Sequence, residues 1–248
     1  MKERVRSLVA IVILMSLVGS MNVHAADVNV TFTQANQIYQ IVGQGDNKED
    51  KGPILITQGT LQMDGTSQSV YLVTLYGTNE NSGQCNNYTS AIKAFVGQDN
   101  DYLQCCKQIM KKNIQEGALV VLAGGSLGGM VAQQLAGDTE MIAKYEIIHT
   151  VAFGAPYIKV SRREGNLNRL GDISDLVTYL SGNGGWGSWR NYLSTEDGGY
   201  GTDFMSAHGW SYARSDVWGE YDVLGRKRGN ATLTLNLATQ TYYRAELN

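Results

Sequence analysis

The chain has 248 residues, of which 43% are hydrophobic and 17% charged, and a formal net charge of −3. That balance excludes a disordered polar chain and a basic nucleic-acid-binding surface, and the length suits one compact domain. Glycine is frequent at 29 residues and proline scarce at two, which excludes collagen-like and Pro-rich architectures.

Residues 1–25 read as a signal peptide. Lys2, Arg4 and Arg6 precede an apolar run from Leu8 to Val18, and Val23-His24-Ala25 places small residues where a signal peptidase reads them. Residues 26–248 are then expected to form a single exported domain, with no transmembrane segment after cleavage. Export favours oxidised thiols, so Cys85 is expected to pair with Cys105 or Cys106, leaving one cysteine free. The three cysteines lack metal-ligand spacing, and no metal site is expected.

Ala35, Ile38, Tyr39 and Val42 recur at helical spacing and predict a helix over Gln34 to Val42. Ile54 to Leu61 and Val70 to Leu75 are β-rich runs joined by Asp64-Gly65-Thr66, a hairpin signature. Helices are predicted from about Ser90 to Val96 and from Asp101 to Gln115. Leu119 to Ala123 is a continuous apolar run, as a strand buried on both faces of a parallel sheet should be. It leads into Gly124-Gly125-Ser126-Leu127-Gly128-Gly129 and a helix over Met130 to Ala136. A second buried strand, Ile147 to Phe153, ends at Gly154-Ala155-Pro156, and a short strand is expected around Asn166 to Leu170. This alternation predicts an α/β fold with a mainly parallel central sheet flanked by helices.

Gly124-x-Ser126-x-Gly128 between a strand and a helix fits a nucleophile elbow, in which a strained turn thrusts a serine hydroxyl above the sheet. The same turn aims N–H groups of the helix start at the space where an oxyanion would form. Serine needs a base. His24 leaves with the signal peptide and His149 sits inside a buried strand, so His208, in an expected loop over Met205 to Trp210, is the candidate. An acid should lie between Ser126 and His208 in the chain, and Asp172 and Asp175 both qualify. Beyond Leu180 the sequence turns glycine-rich. The segment from Ser181 to Gly201 carries Trp186, Trp189, Tyr192 and Tyr200, and it reads either as a mobile flap that binds substrate or as a satellite core under a long loop.

Leu72-Val73-Thr74-Leu75-Tyr76-Gly77-Thr78, the elbow, Phe153-Gly154-Ala155-Pro156, Asp175-Leu176-Val177 and His208 together resemble the class 3 lipase family of α/β-hydrolases in type, order and spacing. Gly125 stands where a histidine usually precedes the serine, and Tyr76 where an arginine commonly precedes Gly-Thr. The resemblance implies an α/β-hydrolase fold and selects Asp175 over Asp172 as the acid. It also implies that the N–H groups of Thr78 and Leu127 form the oxyanion hole. The implied activity is cleavage of carboxylic ester bonds in lipids at a lipid–water interface, through an acyl-enzyme and without cofactor. Trp186, Trp189 and Tyr192 are the expected substrate-binding aromatics. Phospholipase A, short-chain esterase and a catalytically inactive secreted binding protein are the alternatives.

Overall fold

The structure, a computed structural model, describes residues 28–45 and 51–246, so the expected signal peptide of residues 1–25 lies outside the described residues. The long hairpin forms as its sequence predicts. β2 (Ile54–Met63) and β3 (Thr66–Leu75) pair antiparallel along their whole length and close on Asp64-Gly65, both at positive φ, the two-residue turn whose twist matches that of the strands.

From β3 the sheet continues in parallel through β4 (Leu119–Gly125), β5 (Glu146–Phe153), β6 (Asn166–Asp172) and β7 (Leu193–Glu196). On the other side of β2 lie β8 (Thr232–Asn236), then β1 (Asn29–Phe32), while β9 (Thr241–Tyr243) also pairs with β2, all antiparallel. The protein is therefore an α/β structure with a parallel centre and helices on both faces, but its sheet is mixed, with antiparallel strands along one side.

The apolar strands divide their side chains between two cores, because successive residues of a strand point to opposite faces. Val120 and Leu122 of β4 join Val73, Leu75 and Ile147 beneath α2 (Tyr88–Phe95), α3 (Asp101–Asn113), α4 (Leu127–Leu135) and α5 (Thr139–Lys144). Val121 and Ala123 face the other way. They meet Leu72, Val151 and Phe153 beneath α1 (Ala35–Gly43) and the segment carrying Tyr212 and Trp218. α3 begins on Asn100, whose side chain accepts the N–H of Leu103, and ends with Lys111 and Lys112 in its last turn, as a helix dipole favours.

Two short helices close the carboxyl-terminal third, α6 (Phe204–Trp210) and α7 (Ser215–Trp218). Among the described residues no helix is long and apolar enough to cross a membrane. The disulfide expected at Cys85 is absent. All three cysteines are free thiols, Cys105 and Cys106 buried and Cys85 half-buried against the same core.

Arg169 on β6 is the largest charged side chain buried in the fold. Its guanidinium donates to the carbonyls of Ala155, Thr178, Trp189 and Asn191, and burial pulls its pKa down to about 10. The stretch expected as a glycine-rich flap is thus held from inside at Trp189 and Asn191, and β7 pairs its next residues with β6.

Candidate active site

The carboxyl ends of the parallel strands are level: Leu75 lies beside Gly124, Gly125 beside Phe153 and Phe153 beside Leu170. Loops leaving this edge carry the predicted residues together, as open α/β sheets do at their functional edge. Ser126 joins β4 to α4 with φ 51° and ψ −120°, a conformation that is strained for any residue with a side chain. Close packing fixes the turn. A Cβ on Gly128 would stand 2.1 Å from the carbonyl oxygen of Leu75, so no larger residue lets the helix start this close to β3.

His208 sits on α6 and not in the expected loop. The Asp203 side chain caps this helix by accepting the N–H of Ser206. Its Nε2 is 3.1 Å from Ser126 Oγ and its Nδ1 is 2.9 Å from Asp175 Oδ2. An ionised carboxylate only accepts, so Nδ1 carries the proton and Nε2 offers a lone pair to the serine hydroxyl. Asp175 follows β6 and is wholly buried. Gly154, at φ +56°, makes room for it, since a Cβ there would stand 2.9 Å from Asp175 Oδ2.

Asp172, the other acidic candidate, ends β6 and points elsewhere. Its carboxylate accepts the N–H groups of Ser174 and Gly198 and the hydroxyl of Ser211, tying three segments together with no contact to the imidazole.

Leu127 follows the serine in the chain, and Thr78 follows Gly77, whose backbone approaches it. Leu127 opens α4, where N–H groups of the first turn have no partner within the helix and the dipole favours negative charge. Gly77, just before Thr78, approaches so closely that a Cβ added to it would lie 3.4 Å from Ser126 Cβ. Sequence reasoning missed what fastens this loop. Buried Asn86 donates from Nδ2 to the Gly77 carbonyl at 2.9 Å, and its own carbonyl accepts the N–H of Asn79 at 2.8 Å. Tyr102 adds a tie from α3, its hydroxyl bonding the carbonyls of Pro53 and Tyr76. Gly125, the residue before the serine, also has a structural setting. The ring of Tyr39 and the side chain of Val42 on α1 lie 3.4 and 3.7 Å from where its Cβ would be, filling the space a larger residue would take.

The three expected substrate-binding aromatics do not act as one surface. Trp186 is fully exposed. Trp189 packs edge-on against Tyr179 at 5.0 Å, with Arg190 over its ring, in the manner of a satellite core. Tyr192 precedes β7, which runs parallel to β6, so it enters the sheet at the opposite edge from the triad. There it lines a shallow cavity of about 510 Å³ with His149, Arg163 and Asn168. Strand direction thus places Tyr192 apart from Ser126, Asp175 and His208. Exposed apolar side chains stand nearer the triad in elements that sequence reasoning did not single out: Leu176 directly after Asp175, and Phe204, Met205 and Trp210 on the helix of His208.

His149 is buried, with Asn168 Nδ2 donating to its Nε2 at 3.0 Å. Burial pulls its pKa down to about 4. The unfolded chain, titrating near ~6.5, takes up this proton first as pH falls. The neutral imidazole's contribution is therefore complete above ~6.5 and is lost as pH drops from there through about 4. Between pH 7 and 4 the parent protein should lose on the order of 2–3 kcal/mol more urea stability than His149→Gln. Equal losses would mean that folding does not depress the pKa of His149.

Among the described residues, no group of three or more His, Cys, Asp or Glu is arranged to hold a metal ion. Comparison with protein-family models, curated proteins and solved structures finds no match for this chain.

Proposed function

We propose that the protein is a serine hydrolase of α/β-hydrolase type, acting on carboxylic esters of lipids. The observation that carries this reading is the hydrogen-bonded series from Ser126 Oγ to His208 and from His208 to buried Asp175, assembled at the carboxyl edge of the sheet on a strained strand–helix turn. The order of the three residues in the chain and the motifs shared with class 3 lipases support the same class. The leader-like residues 1–25 are the support for export.

In this mechanism Ser126 Oγ attacks the ester carbonyl carbon as its proton passes to His208 Nε2, and Asp175 stabilises the imidazolium through Nδ1. The carbonyl oxygen gains the negative charge, which the N–H groups of Thr78 and Leu127 would hold. The intermediate collapses by breaking the bond to the alcohol, which departs with the proton from Nε2. Water then gives a proton to the same nitrogen and attacks the acyl-enzyme, releasing the carboxylic acid and restoring Ser126.

Lipid as the substrate class is supported by the apolar side chains around the site. Leu176, Met205 and Trp210, 59, 66 and 70% exposed, lie next to Asp175 in the chain or on the helix of His208, where they could meet an acyl chain. A panel running from soluble short-chain esters through triacylglycerol to phospholipid tests the class, with fluorophosphonate labelling reporting the activated serine. Met205→Ser combined with Trp210→Ser should cut hydrolysis of emulsified or micellar ester about tenfold more than that of a soluble ester, with a melting temperature within about 2 °C of the parent. Equal losses on both substrates would remove the lipid-contact role.

A further inference from the structure

The two oxygens of the Asp175 carboxylate carry unequal loads. Oδ1 accepts the N–H of Val177 at 3.0 Å. Oδ2 accepts both the Nδ1–H of His208 at 2.9 Å and the hydroxyl of Tyr212 at 2.6 Å. Tyr212 lies on the turn Ser211–Ala213 directly after α6, so one short stretch of chain supplies the base and this phenol.

The phenol has little freedom. Its ring is wholly buried, stacked on Trp218 with centroids 5.6 Å apart, tilted against Tyr39 at 5.4 Å and edge-on to Phe153 at 6.3 Å. Its oxygen also accepts the N–H of Asp172 at 3.1 Å. An N–H cannot accept and a carboxylate cannot donate, so the hydroxyl proton has one place to go, onto Asp175. Burial and the Asp175 charge push the phenol's pKa well above its ordinary value, and it keeps that proton.

We propose that Tyr212 is a positioning residue of the triad, whose hydroxyl fixes the rotation of the Asp175 carboxylate and shares the oxygen that faces His208. The catalytic consequence rests on the hydrolase reading, whereas the contact itself does not. Hydrogen bonds to an ionised group are among the stronger ones, and a donor on Oδ2 draws off charge that the imidazolium would otherwise feel. Without that donor Asp175 stabilises the imidazolium more strongly, so the protonated base persists to higher pH. The carboxylate is also freer to turn away from the productive orientation. The other titratable groups close to this pair are Tyr39 and Tyr179, whose phenol pKa values burial raises, Asp172, held in its own network behind Tyr212, and the buried Arg169 guanidinium, which bonds the Thr178 carbonyl and lies within electrostatic reach of Tyr212.

The test is Tyr212→Phe in the full chain, which removes one oxygen and keeps the ring. With a soluble p-nitrophenyl ester, the acid limb of the kcat/KM profile should move up by about half to one pH unit and kcat should fall about tenfold. KM should stay within about twofold, because the buried phenol cannot touch substrate. The Nδ1 proton resonance of His208, read by NMR without substrate, should shift as well. Ser211→Ala is the control, since Ser211 bonds Asp172 and not Asp175. It should lower the melting temperature and leave the acid limb in place. Should Tyr212→Phe fail to fold, 3-fluorotyrosine at position 212 keeps the ring and donates more strongly, and should move the limb down. An unmoved limb with an unmoved Nδ1 resonance in either folded protein overturns the proposal. A parent protein that neither hydrolyses esters nor reacts with fluorophosphonate overturns the hydrolase reading instead, and the Nδ1 resonance still decides the role of Tyr212.

Discussion

Ser126→Ala should lower turnover of a soluble ester by on the order of 10⁴ to 10⁶ while the protein melts within about 2 °C of the parent. The size of the loss follows from the role of the oxygen. Removing it leaves the oxyanion donors and the binding surface intact, but no atom remains to form the acyl-enzyme, and the residual rate is direct attack by water aided by those donors. The small effect on stability follows from position. Ser126 lies at the rim of the sheet and its hydroxyl meets His208 Nε2, while the strained φ of 51° is set by the backbone around it and is common to both proteins. Purified mutant protein that retained activity within tenfold of the parent would dismiss the elbow as the catalytic centre.

The second large effect separates two buried carboxylates only three residues apart. Asp175→Asn should cost on the order of 10⁴ in turnover, since an amide facing Nδ1 favours the tautomer that leaves Nε2 unable to take the serine proton. Asp172→Asn should cost far less turnover but lose stability, because it places an amide NH₂ among donors that the carboxylate now accepts from: two backbone N–H groups and the Ser211 hydroxyl. Loss of those charge-assisted bonds should cost about 2–4 kcal/mol, or roughly 5–12 °C in melting temperature for a chain of this size. Turnover and thermal melts on the two variants give the comparison. The opposite pattern, with Asp172→Asn inactive and stable, would reassign the acid.

How much of this could be read from the sequence depended on how local the cause was. β4 and α4 were legible because a continuous apolar run, a cluster of glycines and a helix lie within seventeen residues of one another, from Leu119 to Leu135. The β2–β3 hairpin was legible for the same reason. β1 and β8 were not, since each is short and at the side of the sheet, and the partner of Asn29 is Asn236. α6 escaped notice because its seven residues bury only Ala207 completely and so show no apolar period. The composition of the Ser181 to Gly201 segment was plain, but which edge of the sheet Tyr192 would reach depends on the direction in which β7 pairs, a property of the whole fold. Tyr212 and Asn86 belong to the same category. Each is an ordinary polar residue in the chain, and each acquires a role through a partner brought close by the topology.

Arg169 changes what the abundance of glycine implies for wear and turnover of the protein itself. A glycine-rich surface stretch is ordinarily where a protease finds an extended, yielding backbone. Here the carbonyls of Trp189 and Asn191 share one buried guanidinium with those of Ala155 and Thr178, from the stretch after β5 and the turn after Asp175. Freeing the backbone at those two residues means withdrawing acceptors from a buried cation, at a cost well above that of fraying a loop. Cleavage at 189–191 therefore has to await a larger opening of the molecule, one that also disturbs the acid side of the active site. On the proposed hydrolase reading, nicking there and loss of activity would coincide.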